Sequence, residues 1–502
     1  MPVKATKASR HLEVERKFDV DESTLSPSFA GIAAITRVQR PATQTLDAVY
    51  VDTPTRDLAS RRITLRRRTG GVDAGWHLKL PAGPDARTEI RVPLGATDGG
   101  RDEVPGELLD VVSAIVRDRP LGPVARITTT RDVGRLCGDD GAVVAEFCDD
   151  KVVAWCGDSG DEDSSEQRWR EWELELVGSG EAPDTDMLQR LTNRLLDAGA
   201  TPARHGSKLA RVLGATQHAT PPAPADPVHR ALAEQVDELL AWDRAVRADA
   251  DDAVHQMRVT IRKIRSLLQA APESFGLSDD SWIVDELREL AAVLGAARDA
   301  EVLADRYQRA LDGLPPELVR GAVRARLVGG ARQRYAAGLR RSLIALRSTR
   351  YFRLLDALDA VLVAPAGVQA PPEAARSTVH TVYRRMRRAA KTAARAPEAE
   401  RNEALHQIRK KAKQLRYTAA ATGEMEVSKG SAAIQTLLGD HQDSVVSRAH
   451  LSQQAAAAHA AGDDTFTYGL LYQQEVELAR RCRRQLRAAL HELDRAVRTS
   501  RE

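Results

Sequence analysis

The chain is poor in several kinds of residue, and each shortage excludes something. Its 502 residues include only four cysteines, Cys137, Cys148, Cys156 and Cys482. They are too few and too irregularly spaced for a disulfide framework or a zinc cluster, so reduced thiols in a cytosolic protein are expected. Aromatic residues make up 4% of the chain, which leaves little for stacking on nucleobases. No run approaches the ~20 consecutive apolar residues of a membrane span. The segment Met1–Lys17 lacks the apolar centre of a secretion signal. A Gly-x-x-x-x-Gly-Lys-Ser/Thr loop is also missing, so a nucleotide-driven motor has no support. A net charge of +3, from 74 Lys+Arg against 71 Asp+Glu, excludes nothing by itself.

What is present points to two modules. At about 100–200 residues per domain the length accommodates two to four. With 42% apolar and 29% charged residues the chain can bury real cores. Residues 1–220 hold 30 basic and 35 acidic groups, a balance of −5, and residues 221–502 hold the remaining 44 and 36, a balance of +8.

Up to about Val177, short alternating segments are split by Gly, Pro and Asp. They are His11–Val20, Thr45–Asp52, Arg62–Thr69, Gly75–Leu80, Arg87–Pro93, Val124–Val133, Ala142–Asp149 and Arg168–Val177. Alternation with β-branched and aromatic residues predicts strands, and this many predict a closed or strongly curved sheet. Helical stretches are expected near Glu107–Arg117 and Asp186–Asp197. Ala219-Thr-Pro-Pro-Ala-Pro-Ala-Asp-Pro227 reads as a stiff, extended linker. Beyond it the composition turns to Ala, Leu, Arg and Glu with helical periodicity. The domains are therefore placed at 1–215, a linker at 216–227 and 228–502. The fold expected is an N-terminal α+β module with an eight-stranded antiparallel barrel or tunnel, then an all-α helical-bundle domain with an internal duplication. The duplication rests on Val254-His-Gln-Met-Arg…Arg265 returning as Leu405-His-Gln-Ile-Arg…Arg416, and on Leu294-Gly295…Asp299 returning as Leu438-Gly439…Asp443. Generic Ala/Arg-rich helix composition is the alternative.

The strands carry dense charge of mixed sign on one face. Glu13, Glu15 and Lys17 share a face, as do Arg66 with Arg68, His77 with Lys79, Arg87 with Glu89 and Arg91, and Glu171 with Glu173 and Glu175. Two arrangements hold such faces: a sheet with its charged side in water, or a barrel with a charged interior. The second needs compensation, because an unpaired buried charge is expensive. A polyanion with Mg²⁺ or Mn²⁺ supplies it, carboxylates holding the cation and Lys or Arg the phosphates.

Glu13-Val-Glu-Arg-Lys17 resembles the Glu-x-Glu-x-Lys signature of the CYTH family, the triphosphate tunnel metalloenzymes. Further matches follow in family order: Tyr50-Val-Asp-Thr53, Leu65-Arg-Arg-Arg68, Trp76-His-Leu-Lys-Leu80, Arg87-Thr-Glu-Ile-Arg91, Arg126…Arg131, Trp172-Glu-Leu-Glu-Leu176 and Ser207-Lys208. The resemblance covers roughly residues 9–213. It implies an eight-stranded tunnel that takes a triphosphate with Mg²⁺ or Mn²⁺. By the same resemblance Glu13, Glu15, Glu173 and Glu175 are metal ligands, and Glu13, Glu15 and Lys17 serve catalysis. Lys17, Arg66, Arg68, Lys79, Arg126 and Lys208 are phosphate ligands. Another acid is expected within Glu146…Asp149-Asp150-Lys151, its identity open. Glu103 and Asp161 read as loop charges, and His77 as a structural histidine.

In the second module, His255, Arg258, Arg262 and Arg265 fall within about 80° of helical arc, beside an apolar stripe of Met257, Ile261, Ile264 and Leu268. The second copy repeats this with His406, Arg409, Lys413 and Arg416. A third stripe joins His380, Arg384, Arg387 and Lys391. Solvated faces usually mix in acids at i+4, and these stripes have none. A linear phosphate polymer needs charge without stacking, which favours it over DNA or RNA. This half, roughly residues 228–498, resembles the CHAD domain, the conserved-histidine α-helical domain, on the two His-x-x-Arg helices, Leu294-Gly…Arg298-Asp299, Arg416-Tyr417 and Leu438-Gly-Asp…Asp443. The resemblance implies paired four-helix bundles and inorganic polyphosphate binding. Asp299 and Asp443 read as helix-end or arginine-pairing groups.

The expectation is a cytoplasmic enzyme, associated with polyphosphate granules, that hydrolyses inorganic triphosphate or a related triphosphate. DNA, RNA and membrane are not expected partners. A non-catalytic polyphosphate-binding protein and a nucleotide triphosphate hydrolase or cyclase are the alternatives.

Overall fold

The computed structural model describes residues 8–94, 103–157, 166–177, 184–214, 227–270, 272, 275–277, 282–363, 372–421 and 423–500. Most of the linker and Asp161 lie outside these residues. The chain divides into two compact units, Met1–Ala223 with Asp243–Ala248, and Pro224–Trp242 with Asp249–Glu502.

The first unit runs β1 (Ser9–Val20), β2 (Arg37–Gln39), β3 (Gln44–Asp52), α1 (Asp57–Ser60), β4 (Thr64–Thr69), β5 (Gly75–Pro81), β6 (Ala86–Pro93), α2 (Gly106–Val116), β7 (Gly122–Cys137), β8 (Val143–Cys156), β9 (Gln167–Leu176), α3 (Thr185–Asp197), β10 (Thr201–Pro202) and α4 (Lys208–Leu213). The spatial order β1-β6-β5-β4-β3-β7-β8-β9 returns to β1, so eight antiparallel strands close into a barrel. The two short strands attach to its wall, β2 on β7 and β10 on β1. All eight segments with alternating pattern are barrel strands. The short β2 and β10, with two or three residues each, are too brief to show a period.

The charge faces inward, which decides between the two arrangements left open above. On β1, β4, β5, β6, β8 and β9 the apolar side faces out, and helices cover it. Leu58 of α1 and Leu108, Val112 and Ile115 of α2 pack on Leu65, Trp76, Leu78, Ile90 and Val92. On the other side Leu188, Leu191 and Leu195 of α3 pack on Phe18, Phe147, Trp172 and Leu174. Trp172 is fully buried there, edge-on to Phe147.

Asp52 and Thr53 have structural work. Asp52 Oδ1 accepts from the backbone N–H of Thr53 (2.7 Å) and Leu58 (3.0 Å), and Oδ2 from Ala59 (2.9 Å). Those bonds hold the first N–H groups of α1, too short to be stable alone. α4 closes one end of the barrel. Its Leu209, Val212 and Leu213 pack on the inward-facing Ala48, Tyr50, Ile127, Val152 and Ala154. The Ser207 hydroxyl caps the helix by accepting from Ala210 N–H at 3.0 Å.

The second unit is helical: α5 (Pro227–Arg247), α6 (Ala253–Ala270), α7 (Trp282–Asp312), α8 (Gly330–Leu346), α9 (Thr349–Val363), α10 (Pro372–Arg395), α11 (Glu398–Ala421), α12 (Met425–Ala460) and α13 (Phe466–Thr499). No described helix is long and apolar enough to cross a membrane. α6 packs on α7 as α11 packs on α12, and the two matched sequence pairs lie on those pairs of helices. The apolar stripes Met257, Ile261, Ile264, Leu268 and Ile408, Ala412, Leu415, Ala419 are buried in both copies. The repeated glycines have the same use. A side chain at Gly295 would meet the Arg258 guanidinium at 3.3 Å, and one at Gly439 would meet Arg409 Nε at 3.6 Å. In each copy the glycine lies against the arginine of the partner helix, tightly at Gly295 and at ordinary contact distance at Gly439.

Candidate active site and anion surface

The inward faces of the eight strands enclose a cavity of about 390 Å³. From β1 come His11, Glu13, Glu15 and Lys17; from β4, Arg66 and Arg68; from β5, Lys79. β6 supplies Arg87, Glu89 and Arg91, β7 Arg131 and Arg135, β8 Glu146, and β9 Glu173 and Glu175. Lys208 enters from α4. The period of two puts every second side chain inside, and the sequence places charge at those positions.

The charges are paired in two groups. Towards the open end, Glu13 lies 2.5 Å from Lys79 and 3.4 Å from Arg91. Glu89 is held by His77 Nδ1 at 2.9 Å, by His11 at 3.0 Å and by Arg91. His77 Nε2 meets the Asp73 carbonyl at 2.9 Å, so both its nitrogens are engaged and its role is structural. Towards the α4 end, Glu173 meets Lys17, Arg131 (2.5 Å) and Lys208 (2.7 Å). Asp150 joins Arg131 (2.6 Å) and Lys208 (2.8 Å), and Glu171 joins Lys208 at 2.8 Å. Glu15 lies 3.0 Å from Lys17.

Burial alone would raise these carboxyls, and the neighbours decide the outcome. Lys17 and Lys79 pull Glu15 down to about 2. Lys17, Lys208 and Arg131 hold Glu173 well below the usual carboxylate range. Burial, then the Glu13, Glu15 and Glu173 carboxylates, push Glu175 up to about 7. Glu175 stands directly across from Glu15 on β1 and from Glu146 on β8, and it has no ion pair among the described residues. Like charges directly opposite destabilise a sheet. Glu13 Oε2 is buried against Lys79 Nζ at 2.5 Å. A row of acids with one carboxyl lacking an ion pair among the described residues fits a hard divalent cation with oxygen ligands. Two clusters within 4.8 Å could also hold one, His11 with Glu13 and Glu89, and Asp150 with Glu171 and Glu173.

Arg66 donates to the Tyr50 hydroxyl at 3.0 Å and Arg68 pairs with Asp73. The Arg66 Nε is buried and unpartnered. Burial, with Arg66 beside it, lowers Arg68 to about 10. Arg66 makes no carboxylate ion pair among the described residues, and Arg68 has only Asp73, which leaves both with donors for phosphate oxygens.

Of the expected tunnel residues, one is elsewhere. Arg126 faces out and forms a bidentate pair with Asp47, both bonds 3.0 Å. Position 126 has the outward parity of β7, and 127, 129 and 131 the inward. Arg131 takes the place assigned to Arg126. Other lining residues missing from the expected set include His11, Asp73, Arg87, Glu89, Arg91 and Arg135, three of which were visible as the charged face of β6. Of the segment in which another acid was expected, Asp150 points inward to Arg131 and Lys208, and Glu146 points inward to Arg135 at 3.0 Å. On the triphosphate-hydrolase expectation, Arg131→Ala should lower turnover at least about 100-fold, and Arg126→Ala should change it less than about twofold. Parallel kinetics of the two variants check the parity.

In the helical unit the two repeated stripes converge. Burial, then Arg262, Arg409, Arg265 and Arg258, bring Lys413 down to about 8. Burial, with Arg258, Arg409 and Arg416, lowers Arg262. Arg262 Nε, Arg265 Nε, Arg409 Nε and His406 Nδ1 are buried without a hydrogen-bond partner. Arg258 has Asp299 at 3.5 Å, and His255 lies among Arg298, Asp252 and Arg262, its pKa lowered first by burial. The third stripe differs. Arg384 and Lys391 of α10 are exposed and Arg387 pairs with Asp494 at 3.2 Å. His380 contacts the ring of Tyr383.

A CYTH-domain model matches residues 11–197 and a CHAD-domain model residues 230–452. The chain belongs to the proteins that join a CYTH domain, the triphosphate tunnel metalloenzyme class, to a CHAD domain. It is 65% identical over 516 aligned positions, covering 100% of both chains, to the uncharacterized protein Rv2226 of Mycobacterium tuberculosis. Among solved structures it is similar to the CHAD domain of Ricinus communis, at 23% identity over 53% of this chain and 90% of that one, TM-score 0.40. It is also similar to HpAC1 of Hippeastrum, described as an adenylyl cyclase candidate with a dominant triphosphatase activity. That match has 17% identity over 40% of this chain and 94% of that one, TM-score 0.26.

Proposed function

We propose that the barrel hydrolyses inorganic triphosphate or a related triphosphate with Mg²⁺ or Mn²⁺, and that the helical unit binds inorganic polyphosphate. One observation carries the reading. Glu13, Glu15, Glu173 and Glu175 share a cavity of about 390 Å³ with Lys17, Arg66, Arg68, Lys79, Arg131 and Lys208. A divalent cation on the four carboxylates would supply charge neutralisation and water activation. The chain's own residues do the rest. Lys17, Arg131 and Lys208 hold the phosphate nearest α4, and Arg66, Arg68 and Lys79 hold the equatorial oxygens where charge spreads in the transition state. Tyr50 is the sole aromatic residue lining the cavity among the described residues, which supports a bare phosphate chain over a nucleotide. Retained carboxylates favour turnover over binding alone, because binding needs only the cations. The converging stripes of α6 and α11, with buried nitrogens lacking partners, support the polyphosphate reading. A cytoplasmic place beside polyphosphate granules belongs to the same proposal, since a tethered binding module raises local substrate concentration.

The test is phosphate release from tripolyphosphate, ATP and long-chain polyphosphate, with and without each metal. Metal-dependent release from tripolyphosphate is expected. No release from any substrate, with polyphosphate binding retained, would leave a binding protein. The raised Glu175 pKa adds a pH dependence. A cation bound by Glu175 must displace the proton it carries below about 7, so apparent metal affinity should rise up to about tenfold per pH unit below about 7 and flatten above it. Calorimetric metal titrations of wild type and Glu175→Gln check this, and the variant should show the flatter profile.

A further inference from the structure

The barrel is plugged along its axis by α4 but has an opening in its side. β1 pairs with β6 from Ser9 to Val14 and with β10 only from Phe18. Between them the backbone is tied by one bond from Glu15 N–H to the Asp85 carbonyl and one from Ala203 N–H to the Lys17 carbonyl, each 3.0 Å. Outside this gap lies a second cavity of about 400 Å³, walled by Arg16, Asp85, Thr192, Pro202, His205 and Gly206. It shares Glu15, Lys17 and Arg87 with the tunnel. Beside those two backbone bonds, the side chains of these three residues separate the two spaces. Arg87 spans it, with its Nε 3.5 Å from Glu15 and one NH₂ donating to the Gly206 carbonyl at 2.6 Å.

We propose that this gap is a lateral portal through which orthophosphate leaves the tunnel, gated by the Arg87 side chain. The inference rests on the hydrolase reading and supplies what that reading needs. Hydrolysis turns one polyanion into two anions in a space of about 390 Å³. The phosphate held by Lys17 and Lys208 lies at the end where Leu209, Val212 and Leu213 block the axis. Without a side exit it waits behind the other product. The outer cavity suits an anion, since Arg16, Lys17 and Arg87 outnumber Glu15 and Asp85. A rotamer change of one arginine, breaking its contacts with Glu15 and the Gly206 carbonyl, opens the way between the two spaces.

The test fills the outer cavity and leaves the metal-binding and phosphate-binding side chains of the tunnel unchanged. A side chain at Gly206 would start at ordinary contact distance, 3.5 Å, from the Arg87 guanidinium, so Gly206→Phe occupies the outer cavity, and His205→Glu adds a negative charge there. Rapid-quench hydrolysis of tripolyphosphate separates the first turnover from the steady state, and ³¹P line broadening reads orthophosphate exchange in the metal-loaded protein. For Gly206→Phe, the expected result is a first turnover within about twofold of wild type, a steady-state rate at least about tenfold lower and slowed orthophosphate exchange. His205→Glu should show the same pattern more weakly. Steady-state rate and exchange at wild-type values in both variants would overturn the proposal, as would equal loss of first turnover and steady state in both. If wild type leaves tripolyphosphate intact, the hydrolase reading fails by itself, and the exchange measurement alone then decides whether orthophosphate uses the portal.

Discussion

Glu173→Gln should lower triphosphate turnover at least about 1,000-fold while triphosphate binding is kept or tightened. The physical basis is the position of this carboxylate between Lys17, Arg131 at 2.5 Å and Lys208 at 2.7 Å. Glutamine keeps the shape and removes the charge, so three buried cations share one counter-ion fewer. A polyanion then gains where the cation site loses, and kcat falls with no rise in KM. Stability should change too. Breaking a buried ion pair by removing one partner costs about 3–5 kcal/mol, although partial solvent access through the tunnel brings this towards the lower figure. The pH signature follows from the depressed pKa. Glu173 contributes stability above its unfolded value of about 4.5, and that contribution is lost as pH falls towards its lower folded value. Below pH about 4.5 the wild type should therefore lose stability more steeply than Glu173→Gln. Turnover within tenfold of wild type would remove Glu173 from the machinery.

The second large effect concerns Lys413 and its neighbours. Lys413→Met is expected to stabilise the free protein and weaken long-chain polyphosphate binding in the same molecule. Burial and four arginines hold the ammonium at about 8. A lysine with a lowered folded pKa binds fewer protons than the unfolded chain, so stability rises with pH between about 8 and 10.5. Removing the ammonium should add about 1 kcal/mol at pH 7 once solvent screening is allowed for. Binding should fall about tenfold, as one charge-assisted contact is lost. Arg409→Ala should weaken it at least as much, because its guanidinium sits against Gly439 with Nε unpartnered. Each should reduce the slope of log affinity against log salt by up to about one. Thermal unfolding and polyphosphate titrations at several salt concentrations test both halves. Unchanged affinity in Lys413→Met and Arg409→Ala would place the polymer elsewhere. Arg384→Ala on the third stripe is the contrast, since its exposed side chain stands apart from this crowding.

Much of the barrel was legible because alternation survives every local accident. Glu13-Val-Glu-Arg-Lys17 and Trp172-Glu-Leu-Glu-Leu176 state their inward and outward faces outright. β6 shows the same pattern in Arg87, Glu89 and Arg91, yet its residues were left out of the expected site, since the motif alone does not say which charged face turns inward. Arg126 failed for a narrower reason. Two arginines five residues apart have opposite parity on one strand, and composition cannot say which is inside. In the helical unit the stripes were visible as 3.6-residue periods, while their convergence was not. Period fixes a face on one helix; it is silent about which face of a distant helix comes opposite.

Strand parity, the two modules, the repeated His-x-x-Arg helices and the glycines beside them were determined locally, by side-chain period and backbone chemistry. Closure of the barrel, the inward turn of its charges, the row Glu15, Glu175 and Glu146 and the plug that delivers Lys208 were decided only by tertiary structure. The reason is the same in each case. These features join residues up to about 190 positions apart, and an ion pair or a crowded carboxyl exists only once the fold has closed that distance.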